Sequence, residues 1–262
     1  MTVKHVAGVL AVFIALTMAH SAVAQRNANE SPVADAAATA KWNFGALLQG
    51  GFGVTEDRGS FKFLTAGVHA GRILTSQVGA GLLKGDFEYG VEVFPLWQSY
   101  TPKFQRANCT QIFPPAQPGT YVSCSANYTV GGTFTGVSVT PIILRWNFTH
   151  GARWMPWIQG AGGLVWTNHK YPAYGMATSA SGPTTIGPPS GQSYLDNDGP
   201  SADTSVWNFT PQFGVGTHYF LRPGRSIDVS ANAVHISSAS LGDRNPGVNA
   251  SVQFSVGYSW WK

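Results

Sequence analysis

Alternating apolar and polar residues in segments of about ten predict an all-β fold, an eight-stranded antiparallel up-and-down barrel crossing a membrane. Two further observations point the same way. Charged residues make up 11% of the chain, against roughly 25% in ordinary soluble domains, while glycines number 31 and aromatics reach 13%. Connections between segments also alternate between short and long, as in outer-membrane barrels with periplasmic turns and outer loops, apart from a short first outer loop, Thr55 to Lys62, and a long turn, Thr75 to Asp86. The composition alone also fits some secreted β-sandwiches.

Residues 1–24 read as a secretory signal. Lys4 and His5 start it, Val6 to Met18 form a short apolar core, and Ala22-Val23-Ala24 offers a cleavage site before Gln25. The core is too short to span a membrane as a helix, which takes about 20 residues. Residues 25–40 are polar and alanine-rich and are expected to be a disordered tail, leaving 41–262 as the barrel.

The expected strands run Trp42 to Val54, Phe63 to Leu74, Phe87 to Trp97, Thr135 to Phe148, Trp154 to Thr167, Val206 to Leu221, Ser226 to Ser237 and Ala250 to Trp261. In the fourth, Val137 and Val139 share one parity and Ile142, Leu144 and Trp146 the other. A bulge at Pro141 reconciles them. Trp42, Trp97, Trp166 and Trp260 lie near strand ends and are candidates for aromatic girdles. Thr149 to Arg153 and Arg222 to Arg225 are short turns; Gln98 to Phe134 and Asn168 to Ser205 are long loops.

Eight strands enclose an interior filled by side chains. Glu88, Glu92, Arg145 and His218 fall on the inward parity and are expected to be paired there. Cys109 and Cys124 share one long loop of an exported chain and read as a disulfide staple, worth roughly 3 kcal/mol for a loop of this size. The formal net charge of +4 shows no clustered basic stripe, so no nucleic-acid partner is implied.

The seventh strand carries the chemistry. Residues two apart share a face. One face holds Ile227, Val229, Ala231 and Ala233, then His235 and Ser237; the other begins with Asp228, Ser230 and Asn232. This suits a barrel with its apolar face toward lipid. A base and a hydroxyl on that face cost roughly 1–3 kcal/mol each if unpaired, which makes them functional candidates: His235 as base, Ser237 as nucleophile on an ester carbonyl.

His235-Ile236-Ser237-Ser238-Ala239, followed by Asn245-Pro246-Gly247-Val248-Asn249 and a last strand ending Gly257-Tyr258-Ser259-Trp260, resembles the lipid A 3-O-deacylase family, whose relatives are often labelled acyloxyacyl hydrolases. The resemblance implies an eight-stranded outer-membrane barrel that removes an ester-linked acyl chain from lipid A, with lipopolysaccharide as its partner and no cofactor. By position it makes His235 the base and Ser237 the nucleophile. Ser238 stands where the family has an asparagine linked to the oxyanion hole. Asn249 stands at the acidic member's position, with Asp243 a substitute acid in the loop. By parity, the Asn249 side chain faces the lumen unless the turn rotates it.

No Gly-x-Ser-x-Gly elbow, His-Glu-x-x-His, phosphate-binding loop or paired-cysteine zinc pattern occurs, and no metal is expected. The remaining alternative is a small non-catalytic outer-membrane barrel with a structural or surface-binding role. Oligomeric state is not encoded legibly.

Overall fold

The computed structural model describes residues 31–55, 58–106, 109–112, 121–124, 128–171, 205–238 and 249–262, with side chains between 104 and 130 excepted. Its strands are β1 (Trp42–Gly53), β2 (Lys62–Ile73), β3 (Gly85–Arg106), β4 (Cys109–Ile112), β5 (Tyr121–Cys124), β6 (Tyr128–Phe148), β7 (Trp154–Thr167), β8 (Trp207–Phe209), β9 (Gln212–Arg222), β10 (Arg225–His235) and β11 (Ala250–Trp261). Each of β1, β2, β3, β6, β7, β9, β10 and β11 pairs antiparallel with its neighbours. The β1–β11 and β6–β7 ladders close the ring, giving an eight-stranded barrel. β8 continues the line of β9 beyond Pro211, a residue with no N–H for the ladder. No helix among the described residues is long and apolar enough to cross a membrane; the crossing elements are strands.

The outer surface is apolar. Leu48, Val68, Ile142, Phe213 and Val256 are all exposed, the arrangement expected where the solvent is lipid. Trp42, Trp154, Tyr219 and Trp260 ring the end that holds the short turns, with Trp154 and Tyr219 centroids 4.7 Å apart. Trp166 and Trp207 sit across from one another at the other end. Trp97 does not join a girdle: it is buried in the barrel. The β3–β6 register shifts between Phe94 and Trp97, at Pro95, and such a bulge moves every later side chain to the opposite face. The bulge expected at Pro141 is present as a register shift between Val139 and Ile142.

Polar residues fill the middle of the barrel. Glu88 lies 2.9 Å from His69 Nε2 and 3.4 Å from Arg145, which also approaches Glu92 at 4.0 Å. His218 Nδ1 lies 2.5 Å from Asp228. The inward charges are thus paired, as their parity implies. Glycines make the room: a Cβ on Gly71 would fall 1.9 Å from Glu88 Oε1, and one on Gly90 2.8 Å from the His69 ring. A cavity of about 40 Å³ remains among His69, Glu92, Arg145, Gln159 and Asp228, too small for a pore.

Two segments depart from expectation. Part of the presumed disordered tail is a helix, α1 (Pro32–Thr39). Ser31 caps it, accepting from the Ala34 N–H, and Pro32 begins it. The Ser31 hydroxyl also donates to the Gly151 and Ala152 carbonyls of the β6–β7 turn. Val33 and Ala36 then bury against Met155, Phe220 and Trp261, plugging that end. Secondly, the long loop expected from Gln98 to Phe134 is largely extended structure: β3 and β6 run on into it, and β4 pairs with β5 beyond them. Cys109 and Cys124 are direct cross-strand partners there.

Candidate active site

β10 sets the site. Its even-numbered residues face the interior: Ser226, Ser230, Asn232, Val234 and Ile236 are buried. The odd parity faces out. His235 and Ser237, both half-buried, therefore lie on the lipid side near the outer end, two residues and roughly 7 Å apart along the backbone. Behind them Val234 and Ile236 join Phe61, Phe63, Trp97, Phe134, Val165 and Tyr171 in an apolar core. The site thus has a rigid back wall.

Backbone pairing fixes both residues. His235 N–H donates to the Pro211 carbonyl and Ile236 N–H to Asn249, while Ser237 exchanges two bonds with Phe209, at 3.0 and 2.6 Å. The His235 Nδ1 lies 3.1 Å from the main-chain oxygen of Asn249. A carbonyl only accepts, so Nδ1 carries the hydrogen and, in the neutral ring, Nε2 keeps its lone pair. That is the tautomer a general base needs.

The other sequence candidates point elsewhere. The side chains of Ser238 and Asn249 are buried on the interior parity, 2% and 1% exposed. The Asn249 amide lies beside the Tyr171 hydroxyl without reaching hydrogen-bond geometry. Tyr171 itself meets the Ser99 hydroxyl at 3.0 Å, and burial pushes its phenol pKa up, so it stays protonated. Asp243 lies outside the described residues. So the structure places His235 and Ser237 on one outward face, with His235 on the Asn249 carbonyl, and leaves the Asn249 and Ser238 side chains on the other face.

One feature of the outer face escaped the sequence reading. Next to His235 the β11 partner is the small Ala250. Below it, Ala233 stands between Phe213 and Val252, and Ala231 between Val215 and Phe254. Two alanines flanked by larger side chains thus form a track of small residues on the outward parity of β10, the parity of Ser237. Its signal was the pair of small residues in an otherwise bulky apolar stripe.

A family model described as lipid A 3-O-deacylase (PagL) matches residues 114–259. No curated protein matches the chain. Among solved structures, the chain is similar to Neisserial surface protein A (11% identity, 84% of this chain and 96% of the other, TM-score 0.43). It is also similar to the outer membrane enzyme PagL (12%, 82% and 98%, TM-score 0.37) and to the N-terminal β-barrel domain of Pseudomonas aeruginosa OprF (9%, 83% and 97%, TM-score 0.33). The family match covers more than half of the chain, including both outward-facing candidates and most of the closing strand: this barrel is a bacterial outer-membrane protein and belongs to the lipid A 3-O-deacylase family.

Proposed function

We propose that this barrel hydrolyses an ester-linked acyl chain of lipid A, with Ser237 as nucleophile and His235 as general base. The observation that carries the reading is the lipid-facing His235–Ser237 pair with His235 Nδ1 on the Asn249 carbonyl. Family membership supports the substrate class.

In this reading His235 Nε2 takes the proton from Ser237 Oγ as Oγ attacks the ester carbonyl carbon. The tetrahedral intermediate collapses, the sugar oxygen leaves with the proton from His235, and the acyl group stays on Ser237. Water, deprotonated by His235, then releases the fatty acid and restores the serine. The acyl chain lies along the Ala233–Ala231 track between Phe213 and Phe254. The Asn249 carbonyl orients the imidazole in place of a carboxylate, with Asp243 the further candidate. With the Ser238 hydroxyl on the interior face, its main-chain N–H is the nearest candidate to meet the developing oxyanion.

The test is fatty-acid release from purified lipopolysaccharide by refolded barrel in detergent. Wild type releases fatty acid; His235→Ala loses about 10²–10⁴-fold in rate. Equal background release from both, with both barrels folded, returns the reading to a non-catalytic barrel.

A further inference from the structure

The end of the barrel opposite the catalytic candidates carries an uneven charge distribution. Lys41, Arg72, Lys84, Arg153, Arg222 and Lys262 are all exposed there. Among the described residues, Asp35 is the exposed acid on this rim; Asp86 is buried. The short turns β6–β7 and β9–β10 lie at this end, as they do at the periplasmic end of outer-membrane barrels.

The strand register arranges part of this charge on the lipid face. Arg72 on β2 is the direct partner of Trp42 on β1, and its guanidinium sits 5.2 Å from the centre of a Trp42 ring. On Trp42's other side, its main chain exchanges hydrogen bonds with Lys262. One pleat inward, Trp260 pairs with Phe44 on one side and with Arg225 on the other. Trp42 and Phe44 stack at 5.8 Å. Four adjacent strands thus present cations flanking aromatic rings at the depth where a bilayer turns from hydrocarbon to headgroup. Arg72 and Lys262 are two strand spacings apart, roughly 10 Å, a reach suited to separate phosphate groups.

We propose that this basic and aromatic rim is a binding surface for anionic phospholipid in the periplasmic leaflet, the rings meeting acyl and glycerol groups and the cations meeting phosphate. Charge complementarity selects that occupant: a zwitterionic headgroup brings its own ammonium against the same cations. Juxtamembrane cations strengthen such attraction additively, and salt weakens it. The proposal is independent of the esterase reading.

The test is native mass spectrometry of the refolded full chain in detergent, titrated with dioleoylphosphatidylglycerol or dioleoylphosphatidylethanolamine. Wild type is expected to retain phosphatidylglycerol about tenfold more tightly. Arg72→Gln/Arg225→Gln brings it to the phosphatidylethanolamine level, while Lys62→Gln/Lys103→Gln, at the opposite end, leaves it unchanged. The wild-type preference also fades at high salt, a readout that needs no variant. Equal retention of the two lipids by wild type, or a preference that the double variant or salt leaves intact, overturns the proposal.

Discussion

His235 Nδ1 lies 3.1 Å from the Asn249 main-chain oxygen, while the Asn249 side-chain amide is buried on the interior side of the barrel wall with neither polar atom hydrogen-bonded among the described residues. One residue thus offers the candidate base its carbonyl and withholds its side chain. The distinction matters because only the side chain is open to substitution.

Asn249→Ala is therefore predicted to keep hydrolysis within about fivefold of wild type. A side-chain triad member would cost far more, on the order of 10⁴ when a triad acid is altered. Stability should change little, since the buried amide has no hydrogen bond among the described residues to lose. Ser238→Ala is predicted to be equally mild, its hydroxyl facing inward. Initial rates on lipopolysaccharide and urea midpoints of the two variants check both statements.

Ala233→Phe is predicted to obstruct the track toward Ser237. The substitution fills the space between Phe213 and Val252 on a face that solvates apolar side chains, so the barrel should fold normally. The expected result is a rate loss of roughly 10–200-fold on long-chain esters, the range a hydrophobic pocket discriminates, with less loss on a short-chain ester. Equal loss on both chain lengths would place the acyl chain elsewhere.

Much of this was legible in advance because a barrel wall has a period of two. Parity placed Glu88, Arg145 and His218 inside and His235 and Ser237 outside, and it pointed the Asn249 side chain inward. Parity fails where a bulge inserts. Pro141 announced one because the apolar stripe visibly changed sides there. Pro95 did the same less visibly, with Leu96 outward and Trp97 inward, and misplaced a tryptophan. The helix at Pro32–Thr39 had two signals, its alanine content and the helix-start signature Ser31-Pro32, and was missed because so short a segment carries almost no large apolar residues to mark a buried face. The role of the Asn249 carbonyl has no sequence signature, since every residue carries one.

Arg145→Met is predicted to destabilise the barrel by about 3–5 kcal/mol. It removes the guanidinium facing Glu88 and Glu92, its two bonds to Gln159 and its stacking 4.3 Å from Trp157. The Glu88 carboxylate would remain fully buried with less compensation. Adding Glu88→Gln should recover part of the loss. Urea unfolding of the single and double variants in bilayers measures it.

Cys109 and Cys124 are direct register partners in the β4–β5 ladder, where Cα atoms of opposed residues lie roughly 4.5–5.5 Å apart, within the range a disulfide can span. The expected outcome is a single chain that takes up two alkyl groups only after reduction. Its removal should cost roughly 3 kcal/mol at most and leave the β10 site intact. Alkylation followed by intact-mass measurement decides it, and two thiols reactive without reductant would contradict the pairing.

The most direct measurement is the mass spectrum of lipid A after incubation with wild type and with Ser237→Ala, both verified as heat-modifiable barrels. The account predicts loss of one acyl mass with wild type and an unchanged spectrum with the variant. Deacylation by Ser237→Ala at the wild-type rate, or intact lipid A with wild type across several lipid A structures, would contradict it.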